Sequence, residues 1–118
     1  MLLTTIQKGF EGQLLAERYL EKAGFEILFR NLRIGRGELD LVAKERGVLV
    51  FVEIRSTTSI KRNAPLLPFS VLGKKTRILR RSIGLFFERY SRFKYQEYRL
   101  DFVWVYQDSL DHWKNVQL

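Results

Sequence analysis

A chain of 118 residues has room for one domain with one core, so residues 1–118 are expected to fold as a single unit. It is 46% hydrophobic, with nine phenylalanines, five tyrosines and two tryptophans, which argues against disorder, and its lack of cysteine excludes disulfides and thiolate metal sites. The net charge of +8 is concentrated in residues 74–99, which hold nine basic residues against two acids and so favour a polyanion partner, nucleic acid first.

The apolar runs Val48 to Val52 and Ile83 to Phe87 fall far short of the ~20 residues that cross a bilayer. Met1-Leu2-Leu3 leads into polar residues rather than a secretory signal, so a soluble, cytoplasmic protein without membrane contact is expected. The first element, Gly9 to Ala23, reads as an amphipathic helix with Phe10, Leu14, Leu15, Tyr19, Leu20 and Ala23 inward and Gly24 as its stop. A short strand follows at Phe25 to Phe29. After a break at Gly35-Arg36-Gly37 come a strand from Glu38 to Lys44, a turn at Arg46-Gly47, and a strand from Val48 to Ser56.

Residues 57–69 lack periodicity and read as a loop. Ser70 then caps a helix running to about Ser91, with Leu72, Ile78, Leu79, Ile83, Phe86, Phe87 and Tyr90 inward and Lys74, Arg77 and Arg81 on the opposite side. Strands at Tyr98 to Tyr106 and around His112 to Val116 close the chain. The order αβββαββ implies a single α/β domain, a mixed sheet flanked by helices.

The turn at Arg46-Gly47 makes the acids informative. A two-residue hairpin loop there pairs Glu45 with Val48, and counting outward pairs Val42 with Phe51, Asp40 with Glu53 and Glu38 with Arg55. Opposed residues share a face with Cβ atoms about 4.5–5.5 Å apart, and a one-residue slip would separate the two acids onto opposite faces. Two carboxylates about 5 Å apart repel by roughly 3 kcal/mol at an effective dielectric of about 20, so the pair calls for a cation. Magnesium or manganese suits such hard oxygen ligands. Arg55 supplies a cation too, and Glu38, Asp40, Glu53 and Arg55 then form a salt-bridge ladder with no metal. The local pattern fits both readings.

Gly37-Glu38-Leu39-Asp40, followed at that spacing by Phe51-Val52-Glu53-Ile54-Arg55, resembles the YraN-type proteins, an uncharacterised family assigned to the PD-(D/E)XK nuclease superfamily and likened to Holliday junction resolvases. The likeness extends over Gly9 to Leu20, Gly24-Phe25, Arg30-Asn31, Lys75 to Leu79, Arg99 to Val103 and His112 to Asn115. It implies a restriction-endonuclease-like fold and a magnesium- or manganese-dependent endonuclease acting on DNA. Asp40 and Glu53 would be the metal-binding acids, the Ile54 carbonyl a further ligand, and Glu38 and Gln13 supporting residues. Lys74, Lys75, Arg77 and Arg81 would hold the nucleic acid. Resolvases of this type work as symmetric dimers, so the likeness also implies a homodimer.

Three positions depart from the family pattern: Arg55 stands at the catalytic lysine, Gln13 where the first helix usually carries a glutamate, and Thr76 in place of a glutamine. Arginine can orient water and stabilise charge but, with a pKa above about 12, cannot serve as a base. Gln13 removes a negative charge from the cluster, and Glu17 lies one helical turn further along the same face. The alternative is therefore a catalytically degenerate module that binds nucleic acid or a protein partner without cleavage. The lone His112 reads as packing or surface, and Asp101 either as a fourth acid or as the partner of a neighbouring base. Trp104 and Trp113 read as core or interface.

Overall fold

The computed structural model describes residues 5–57, 75–106 and 109–118. Helix α1 spans Thr5–Lys22, followed by strands β1 (Glu26–Ile34), β2 (Gly37–Glu45) and β3 (Val48–Thr57). Helix α2 (Lys75–Arg89), a single 3₁₀ turn (Ser91–Phe93) and strands β4 (Tyr98–Tyr106) and β5 (Ser109–Trp113) complete the order. Of the expected loop at 57–69, Thr57 ends β3, and residues 58–69, with Ser70, Leu72 and Lys74, lie outside the described residues.

The five strands form one sheet in the order β1-β2-β3-β4-β5, antiparallel except for the β3/β4 pair. A parallel pair needs a crossover, and the chain segment containing α2 makes it. Strand β3 is central, which explains why Leu49, Val50, Phe51 and Val52 are all buried: both of its faces are covered.

The two faces carry separate cores. On one, Leu79, Ile83 and Phe86 of α2 pack on Val42, Leu49, Phe51, Phe102 and Trp104. Phe86 is the hub, with Phe51, Phe93 and Phe29 ring centroids at 5.2, 5.5 and 5.6 Å. On the other face, Ala16 and Leu20 of α1 pack on Leu41, Ala43, Val50, Val52, Val103 and Val105.

Four expectations are corrected. Helix α1 buries Leu20 as expected, together with Ala16, while Leu14, Leu15, Tyr19 and Ala23 remain exposed. Small residues let the helix sit close to the sheet, and a Cβ on Gly12 would collide with the Ser56 side chain. The first strand runs on to Ile34, because Asn31, at φ +49, is absorbed within a strand paired to β2 at both ends. The last strand is Ser109–Trp113 rather than His112 to Val116, since a turn at Asn115 (φ +56) ends it. Ile78, 46% exposed, lies at the edge of α2 above the end of β2, while Leu79, Ile83 and Phe86 face the core.

Candidate functional site

The β2–β3 hairpin turns through Arg46 at φ +49 and Gly47 at φ +80, as a two-residue type I′ loop requires. The expected register follows from Glu45/Val48 through Val42/Phe51 to Leu41/Val52. There the ladder stops. The expected pairs Asp40/Glu53 and Glu38/Arg55 lie beyond its last rung.

The reason is a fork. Strand β2 stays paired to β1 out to Gly37, and β3 stays paired to β4 out to Thr57. Each strand follows its outer neighbour, so the two part from one another. In the opening, the Ile54 amide donates to Asp40 Oδ2 at 2.8 Å, a side-chain oxygen taking a backbone donor where the ladder gives out.

A cavity of about 390 Å³ occupies this fork, lined by Glu38, Asp40, Glu53, Ile54 and Arg55 with Arg36 and Gly37 at one end. Its roof is α2, through Ile78, Leu79 and Ser82. The helix comes this close only because residue 37 is glycine: a Cβ there would stand 2.5 Å from Ser82 Oγ and 2.8 Å from Ile78 Cγ2. The glycine opening the acidic motif thus serves helix packing, and the packing closes one side of the cleft. Arg36 and Ser82 escaped the sequence reading. The signal for Arg36 was its place in the hairpin tip next to the motif.

Asp40 and Glu53 bring hard carboxylate oxygens to the cleft, and among the described residues no three histidine, aspartate or glutamate side chains gather into a metal-binding group. Gln13 is not among the cleft-lining side chains. It sits on α1, across the sheet, and its Nε2 donates to Glu17 at 3.3 Å. Glu17 in turn forms an ion pair with Arg30 Nε at 2.5 Å, fixing α1 to β1. Arg77 and Arg81, one turn apart, are exposed on α2, while Lys75 opens that helix.

A second polar cluster lies on the α1 face. Asp101 is fully buried and accepts hydrogen bonds from Arg99 Nε at 2.9 Å, His112 Nε2 at 2.8 Å and the Asn115 amide at 3.0 Å. A carboxylate only accepts, so His112 carries a proton on Nε2, and its Nδ1 hydrogen-bonds with the Tyr19 hydroxyl at 2.9 Å. Arg99 also reaches Glu45 at 2.6 Å, and Lys114 approaches the same carboxylate at 3.4 Å. Burial pushes the Asp101 carboxyl up, but hydrogen bonds from His112, Arg99 and Asn115 outweigh it and hold the group below the usual carboxylate range. Asp101 therefore pairs with neighbouring bases, one of the two readings its sequence context allowed. His112 joins this buried network.

The described fold and its acidic fork define a mixed α/β domain built around a five-stranded sheet, with a helix on each face. The chain belongs to the uncharacterised protein family UPF0102, whose profile matches residues 12–105. This is the family to which the sequence resemblance pointed. A UPF0102 protein of Caldicellulosiruptor saccharolyticus is 38% identical over 110 residues, covering 93% of this chain and 91% of that one. One from Carboxydothermus hydrogenoformans is 35% identical over 106 residues, 86% of this chain and 87% of its own. A third, from an Anaeromyxobacter species, is 50% identical over 58 residues, which is 49% of this chain and 44% of that protein. Among the described residues no helix is long and apolar enough to cross a membrane.

Proposed function

We propose that the protein is a restriction-endonuclease-like domain of the PD-(D/E)XK type that binds DNA and hydrolyses its phosphodiester bonds with a divalent metal. The observation that carries this reading is the fork itself. It gathers Glu38, Asp40, Glu53, Ile54 and Arg55 at the edge of α2, whose Arg77 and Arg81 are exposed to solvent.

The donor chemistry fits magnesium or manganese. Magnesium is usually held by one or two carboxylates and keeps several waters, so Asp40 and Glu53, with the Ile54 carbonyl as the third oxygen, form a sufficient set. Bound there, the metal supplies Lewis-acid neutralisation of the phosphate and lowers the pKa of water. The chain's residues do the rest. The Ile54 amide fixes one Asp40 oxygen, which orients the carboxylate. Arg55 would stabilise the negative charge that develops on the phosphoryl oxygens, without ever acting as a base. Arg77 and Arg81 hold the backbone phosphates, and two copies of the chain would bring two such clefts to one duplex.

The test is a manganese titration followed by thermal unfolding. A ligand at about 100 times its Kd stabilises the native state by about 2.7 kcal/mol. The wild type should gain that increment while Asp40→Ala and Glu53→Ala gain none, and the wild type should nick supercoiled DNA in the same buffer. Identical melting of all three proteins with and without metal would sink the nuclease reading. Arg55 supports a second one: metal-free, it neutralises the acids itself and leaves a module that binds nucleic acid or a protein partner without cutting. That reading is selected if DNA binds with a salt-dependent affinity, no metal shift appears and no nicking follows.

A further inference from the structure

Helix α2 separates two cavities. Ile78, Leu79 and Ser82 face the acidic fork; Arg80, Gly84 and Phe87 face a second cavity of about 470 Å³, completed by Tyr98, Asn115 and Gln117 among others. At 100° per residue, Arg77 and Arg81 fall on the solvent-facing ridge between them. A chain crossing that ridge passes from one cavity to the other.

Gly84 is the informative residue. A glycine inside a helix lowers its stability relative to alanine and persists where backbone geometry or a close approach demands it. Among the described glycines, Gly24, Gly35 and Gly47 adopt positive φ, and a Cβ on Gly12, Gly35 or Gly37 would meet a neighbouring side chain. Gly84 does neither: a Cβ there meets nothing within 4 Å. The bare backbone it leaves forms part of the second cavity's wall, which points to a molecule that comes close to it.

The other lining groups say what kind. The Phe87 and Tyr98 rings lie 5.0 Å apart at 56°, and Tyr98 is 54% exposed, so an aromatic face is offered to the cavity. The Asn115 and Gln117 side-chain amides can read a polar ring edge. Arg80 is held against the main-chain oxygen of Leu118, so it shapes the wall while Arg77 and Arg81 supply the exposed charge. The volume lies within the range of small-ligand sites. Resting on the nucleic-acid reading above, we infer that this cavity is a second subsite, which takes one unpaired base of a strand led over the Arg77–Arg81 ridge, with Tyr98 stacking on the base and Gly84 giving it room.

Fluorescence anisotropy with a labelled oligothymidylate of about ten nucleotides, in EDTA so that cleavage cannot intervene, tests this. Gly84→Leu should project into the cavity and weaken binding at least ten-fold, and Gly84→Ala, which sets a methyl where the base meets the bare backbone, should weaken it by a smaller factor. Tyr98→Ala should weaken binding roughly five-fold or more, as loss of one stacked base does. Its salt slope should be unchanged, because no phosphate contact is removed; Arg77→Ala and Arg81→Ala should lower that slope. Both Gly84 variants should melt at or above the wild type, which separates lost binding from lost folding. If Gly84→Leu and Tyr98→Ala bind like the wild type, the subsite is refuted and the nucleic-acid reading stands. If the wild type itself binds no oligonucleotide at low salt, both fall. If the wild type sediments as a dimer and Gly84→Leu as a monomer, the cavity holds a second copy of the chain and the subsite is overturned.

Discussion

The two polar clusters of this domain are built from similar residues and behave as opposites. Around Asp101, an acid on a central strand is closed in by Arg99, His112 and the Asn115 amide, with Tyr19 and Glu45 completing the shell. Around Asp40 and Glu53, acids on the next strands lie where two strands part and a cavity opens between them. A closed network spends its charges on holding elements together. An open one keeps carboxylate oxygens within reach of something from outside. Position in the sheet, and not residue type, separates the two roles.

The largest expected effect breaks the closed side. Asp101→Ala strands Arg99 and the His112 ring against a buried void, and breaking such a buried pair costs about 3–5 kcal/mol. The expected fall in melting temperature is roughly 10–20 °C for a domain of this size. Asp40→Ala removes, among its contacts, the backbone-to-carboxylate bond from Ile54 at a half-buried site and should cost less, about 1–2 kcal/mol. Equal losses in the two variants would erase the distinction between the clusters.

Acid titration sharpens the same contrast. The folded Asp101 carboxyl titrates below its unfolded value. Its stabilisation is therefore complete above the unfolded pKa of about 3.9 and is lost as pH falls through the lower folded value. Melting temperature should decline more steeply below about pH 4 in the wild type than in Asp101→Asn, where no proton can be taken up.

A further effect, smaller than the loss of Asp101, concerns the wall of the open cleft. In Gly37→Ala the new methyl stands against Ser82 Oγ and Ile78 Cγ2, and overpacking of this kind costs about 1–3 kcal/mol. Adding Ser82→Gly should recover part of the loss by making room. A single variant as stable as the wild type would mean that α2 does not need glycine at this position.

Much of the fold was legible. The alternation and turn residues of β2 and β3 gave a hairpin whose register agrees at each rung from Glu45/Val48 to Leu41/Val52. Strand β4 has the expected limits. The buried face of α1 was legible only at Leu20, because helical spacing accommodates both the set Leu14, Leu15 and Tyr19 and the set Gly12, Ala16 and Leu20. Hydrophobicity favours the first set and close approach to the sheet favours the second. The acids were legible as a pair, but the end of the ladder before them was not. It arises from β1 and β4 drawing β2 and β3 apart, and no local pattern encodes what an outer strand does.

By itself the sequence determined the element order, the hairpin turn, the basic character of α2 and the set of acids worth watching. These depend on period, turn chemistry and charge, which are local. The tertiary structure decided which acid is enclosed in a buried network and which acids line a cavity. Asp101 meets His112, and through His112 and Arg99 is linked to Tyr19 and Glu45, only when β5, α1 and β2 converge on β4. Asp40 and Glu53 share a cavity because α2 roofs a fork that the strands' outer partners pull open. Contacts of that range come from packing, where the position of one element is fixed by all the others.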